Sequence, residues 1–167
     1  MTEHSKGNCN RIVKWISGNQ QRFDELIHLF LNDDVLIRQR AAWPLSYAAI
    51  SHPELMKKHF AIILKNLSKN GLHDSEKRNT VRLLQDIDIP LKFHRQVMNI
   101  CFDYISSPEE KPAIKAFSLS ILHNLSRQYP GISQELKTII EDQWDYASSA
   151  FRSRAEKIMG ELKQEIR

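Results

Sequence analysis

Leu36-Ile37-Arg38-Gln39-Arg40-Ala41-Ala42-Trp43-Pro44-Leu45 sets a basic residue ahead of a small one three positions on and an apolar one seven positions on. The same signature returns three more times. Arg38, Lys77, Lys115 and Arg152 are spaced 39, 38 and 37 residues apart. Three residues beyond them stand Ala41, Thr80, Ser118 and Ala155, all small. Six beyond stand Pro44, Leu83, Ile121 and Ile158, and seven beyond stand Leu45, Leu84, Leu122 and Met159. These offsets share one face of a helix. Each copy therefore presents a small residue, which admits a neighbouring helix closely, beside large apolar ones.

A second register lies between these copies. Pro53, Pro90 and Pro130 each open a further helical segment, as suits proline at a first helical position. Ten residues on come Ile63, Ile100 and Ile140, and fourteen on come Leu67, Tyr104 and Trp144. Two amphipathic helices in each period of about 38 residues predict a stack of helix pairs. The fold class is all-α, with about nine helices in one domain over residues 1–167. Residues 1–7 read as disordered and 8–18 as a capping helix. The repeats span about 20–51, 53–88, 90–129 and 130–166. Asp33, Asp34 and Asp74 suit helix starts, where acids are favoured. Pro44 falls inside a helix and predicts a kink or a split near Trp43.

Composition agrees with this architecture. Five Gly and six Pro in 167 residues leave few tight turns, which argues against a many-stranded sandwich. A net charge of +4 is a small excess over 24 basic and 20 acidic residues, so it favours nucleic acid only slightly. Cys9 and Cys101 have no metal or disulfide spacing. No apolar run is long enough to span a membrane, and the polar start lacks a signal core. A reducing cytoplasm is the expected setting.

Signatures of catalysis are absent. There is no Gly-rich phosphate loop, no G-x-S-x-G elbow and no H-E-x-x-H. No cofactor, metal or small-molecule substrate is expected. Glu141 and Asp145 have the i, i+4 spacing of a cation site, but Lys137 precedes Glu141 by four residues and favours a solvated face.

The stretch from Phe23 through Asp33-Asp34 and Val35 to Arg38 and Ala41-Ala42 resembles a HEAT repeat. That family has an apolar first helix, an Asp-containing turn, and a second helix with Val/Ile-Arg and small residues. The resemblance covers about residues 20–165 as four degenerate copies and implies a right-handed α-α superhelix. The family's turn aspartate would fall at Asn32, Gly71, Glu109 and Tyr146, of which only Glu109 is acidic. An acid–base ladder is therefore partial, or shifted to Asp33, Asp74 and Asp145. The recurring basic residues have two readings, a stripe that tracks a polyanion or hydrogen bonding between repeats, and the resemblance favours the second.

The resemblance also implies that each pair's second helix lines a concave face. The register sets Arg40, Trp43 and Tyr47 there, then Arg78, Arg82 and Asp86, then His123, Asn124 and Arg127, and finally Arg154. Basic residues interleaved with aromatics suit an acidic helix of a protein partner, or phosphate and a stacked base. Trp43 and Tyr47 also suit the core between repeats. The reading this favours is a non-enzymatic scaffold that binds a protein partner. The alternative is a nucleic-acid binder distantly similar to the alkylpurine DNA glycosylases, with Asp86 beside Arg82 and Trp43 as a stacking residue.

Overall fold

A computed structural model describes residues 5–165 of the chain. It holds nine α-helices and two short 3-10 turns, and among the described residues there is no strand. The chain divides into two compact units, residues 1–89 and 90–167.

The first unit begins with α1 (Lys6–Ile16), capped by the Ser5 hydroxyl, which accepts from Asn8 N at 3.2 Å. The expected disorder of residues 1–7 lies outside the described residues for 1–4, while Ser5 to Gly7 form the ordered start of this helix. A left-handed Ser17 and then Gly18, with φ of 39° and 74°, end it. The first pair follows as α2 (Gln20–Asn32) and α3 (Val35–Ser51), and the Asp34 carboxylate caps α3 by accepting from Ile37 N at 3.0 Å. The second pair is a 3-10 turn at Pro53–Met56 leading into α4 (Phe60–Leu67), followed by α5 (Asp74–Asp86). Here the cap is His73 rather than the expected Asp74. Its ring nitrogen accepts from Ser75 N, and the Glu76 carboxylate returns to His73 N at 3.3 Å.

The second unit repeats the plan. A 3-10 turn at Leu91–Phe93 leads into α6 (His94–Ser106), which pairs with α7 (Pro112–Ser126). The last pair is α8 (Gly131–Gln143) and α9 (Ser149–Glu165). Ile166, the expected end of that repeat, lies outside the described residues. Prolines 53 and 90 thus introduce 3-10 turns rather than the first turns of long α-helices.

The repeat register maps directly onto these elements. Arg38, Lys77, Lys115 and Arg152 are each the fourth residue of α3, α5, α7 and α9. The small residues three positions on, Ala41, Thr80, Ser118 and Ala155, are all buried. In the first unit α3 packs on α5, and in the second α7 packs on α9, so second helices of successive pairs lie side by side. Because α3 also packs on α1 and α2, it is buried on several sides, including Ala42, Pro44 and Ser46. That enclosure keeps Val35–Ser51 one helix through Pro44, with no split at Trp43. The last helix differs. Its buried residues Phe151, Ala155, Ile158 and Leu162 form a single stripe. No helix among the described residues is long and apolar enough to cross a membrane.

Candidate interaction surfaces

The first unit gathers its expected site residues along the α3–α5 contact. Trp43 and Tyr47 are one turn apart on α3, with ring centroids 6.4 Å apart and planes tilted by 59°. From α5, the Arg82 guanidinium lies over the Tyr47 ring, 4.4 Å from its centroid, and donates from Nη2 to the Tyr47 hydroxyl at 2.7 Å. Such a cation over an aromatic face is attracted by the ring quadrupole. Arg40 lies half-buried one turn before Trp43, and Arg78 lies exposed one turn before Arg82. Asp86 is the exposed last residue of α5, and its carboxylate accepts from Gln85 Nε2 at 3.2 Å. These side chains form a basic and aromatic surface with the rings half-buried, so Trp43 and Tyr47 contribute to both packing and surface.

Behind this surface lies a second contact between α3 and α5. Arg38 Nε is 3.2 Å from Glu76 Oε1, and Glu76 is 1% exposed. Neither atom makes a directed hydrogen bond, so the approach is ionic. This joins the basic position of one repeat to an acid of the next by charge, where the expectation for the recurring basic residues is hydrogen bonding between repeats. Glu76 was not among the acids the turn positions pointed to, because it lies inside α5, one residue before Lys77.

The second unit places its expected residues differently. His123 is buried in α7, with Nδ1 3.6 Å from Glu161 Oε2 of α9, so it sits inside the helix packing rather than on an open face. Asn124 and Arg127 are exposed at the end of α7, and Arg154 is half-buried on α9. Lys115 donates from Nζ to Gln143 Oε1 at 3.0 Å, and Gln143 Nε2 donates to the Ile105 carbonyl at 2.8 Å. Burial lowers the Lys115 pKa, against the opposing pull of Glu110.

Neither thiol is set up as a nucleophile. Burial raises the Cys9 pKa despite the nearby Arg82, and it pushes Cys101 up to about 12 despite a hydrogen bond with Ser118. Among the described residues, no cluster of His, Cys, Asp and Glu side chains is arranged to hold a metal ion.

The family profile of the HEAT repeat domain matches residues 1–162 of this chain. No curated protein and no solved structure matches it.

Proposed function

We propose that this chain, which belongs to the HEAT repeat family, is a non-enzymatic interaction scaffold that grips an acidic segment of a protein partner. The gripping surface is Arg40, Trp43 and Tyr47 of α3 with Arg78 and Arg82 of α5. The observation that carries this reading is the Arg82 guanidinium held over the Tyr47 ring beside Trp43. Trp, Tyr and Arg are the residue types that dominate binding energy in protein interfaces. The contacts among Arg82, Tyr47 and Trp43 already restrain those three side chains, so they lose little entropy when a partner docks. The buried, unactivated thiols support a reading without covalent chemistry and suit a reducing cytoplasm.

Nucleic acid is the less favoured partner. Duplex DNA carries one charge per about 1.7 Å, so a binder needs a long run of cations. Here three arginines end at the carboxylate of Asp86, and one of the three already serves Tyr47. The glycosylase version needs an extruded base in a snug pocket. Asp86 instead lies exposed beside Gln85.

Affinity capture with the full chain as bait tests the proposal. A specific acidic partner should be recovered by the parent chain and lost by about tenfold or more with Arg40→Glu/Arg82→Glu. Recovery of the same partner unchanged by that double variant would remove the surface from the account.

A further inference from the structure

A groove of about 580 Å³ runs between α8 and α9, and none of the residues of the α3–α5 surface lines it. Ile140 forms its buried floor, and the half-buried Trp144 and Met159 form apolar walls. Glu141, Asp145 and Glu156 stand around it, Gly160 completes the lining, and among the described residues no basic one contributes. In a chain of net charge +4, this is a local reversal of sign. The nearby Lys137 pairs with Glu141 at 3.9 Å, with both side chains about half exposed, and such a contact neutralises little. A further source of negative potential is α8 itself, which ends at Gln143 beside the groove. The last carbonyls of a helix carry roughly half a negative charge.

We propose that this groove docks a cationic amphipathic peptide segment. One apolar side chain of the segment enters between Trp144 and Met159, above Ile140. Lysines or arginines on either side of it meet Glu141, Asp145 and Glu156. Shape and charge each select against alternatives. An acidic segment meets three carboxylates, and a polar one leaves the apolar floor uncovered. The volume is within the range of about 300–1,000 Å³ typical of ligand pockets, enough for one or two large side chains. The Trp144 indole adds a face for an incoming cation. This site and the Arg82 surface have opposite charge and lie in different units.

Gly160 supplies the test. A Cβ at that position meets nothing within 4 Å, and the residue sits inside α9. Gly160→Trp therefore fills the groove while replacing the poorest non-proline helix former, and its thermal melt should not fall below the parent's. The probe is a fluorescein-labelled helical peptide of about 14 residues, four turns, with leucines on one face and lysines flanking them. Anisotropy with the full chain should give a micromolar Kd that weakens steeply with salt. Gly160→Trp should weaken it by about tenfold or more, as should Glu141→Gln/Asp145→Asn/Glu156→Gln, and Arg40→Glu/Arg82→Glu should leave it unchanged. The same peptide with glutamates in place of lysines should gain nothing from the groove, so any binding it shows to the arginine surface should be unchanged by Gly160→Trp. No binding by the parent at low salt would overturn the proposal, as would binding that survives Gly160→Trp or is lost only in the arginine variant. Concentration-dependent dimerisation of the parent, abolished by Gly160→Trp, would assign the groove to a second copy of the chain and overturn it too.

Discussion

Arg38 and Lys115 occupy the same fourth position of the second helix in their pairs, but they meet different chemistry. Arg38 reaches a buried carboxylate, Glu76, across to the next pair's second helix. Lys115 reaches a neutral amide, Gln143, which is anchored in turn by the Ile105 carbonyl. One repeat position therefore serves two kinds of joint. In the first unit the joint depends on a buried carboxylate facing a guanidinium that is itself 30% exposed. In the second it is a hydrogen-bonded bridge around a cation that burial already disfavours. The lesson is that regular spacing identifies a position as architectural without identifying its partner, and the partner sets what its loss costs.

That contrast can be broken by substitution. Arg38→Met should have the largest effect, because it leaves Glu76 buried without its counter-ion. Removal of one member of a buried pair costs about 3–5 kcal/mol, and the lower end applies here because Glu76 also accepts from His73 N. Urea unfolding checks this, and Arg38→Met/Glu76→Met should recover most of the loss. A loss well below 1 kcal/mol for the single variant would mean that the ion pair is idle. Lys115→Met should cost only about 1 kcal/mol by the same measurement, since one hydrogen bond to a neutral acceptor is lost while a desolvated charge is removed. Equal losses at the two positions would erase the distinction.

The smallest effect belongs to a third joint, where Asp24 of α2 accepts from Lys58 Nζ at 2.6 Å, His59 Nε2 at 2.7 Å and Gln20 Nε2 at 2.8 Å. Burial raises its pKa, but these hydrogen bonds outweigh it and lower the value from 3.8 to about 2. A carboxylate depressed in the folded state contributes stability above its unfolded pKa and loses it as pH falls through the folded one. Asp24→Asn should lower Tm by about 1–2 °C at neutral pH, because the carboxylate is partly exposed. The gap should close between about pH 4 and pH 2, as followed by thermal melts. A gap that is constant across that window would remove the ionised Asp24 from the account.

Much of the helical plan was legible in the sequence because small and apolar residues recur at fixed offsets from each basic position. Ala41, Thr80, Ser118 and Ala155 all became buried contacts for this reason. What failed to show was set by tertiary neighbours. Glu76 looks like one acid in the charged run Asp74-Ser75-Glu76-Lys77, and only the approach of α3 makes it a buried partner. The His73 cap was hidden by the neighbouring Asp74, a commoner capping type. His123 follows the outward spacing of its helix, but α7 is buried on most of its surface, and Glu161 of α9 lies 3.6 Å from the ring. Of the kink or split that Pro44 predicts, the split does not occur, and Val35–Ser51 runs as one helix packed on α1, α2 and α5. The Arg82–Tyr47 contact was half legible. Both residues appeared in the expected set, while their stacking depends on the fit of α5 against α3.

The central claim is that the basic and aromatic surface of α3 and α5 takes an acidic protein segment. Its most direct test is paired anisotropy titrations of the full chain, one with a labelled acidic amphipathic peptide and one with labelled duplex DNA, each at low and at physiological salt. The account predicts saturable peptide binding that falls about tenfold or more in Arg40→Glu/Arg82→Glu, with no comparable binding of DNA. Tight DNA binding that collapses with salt, alongside a peptide that does not bind, would contradict it.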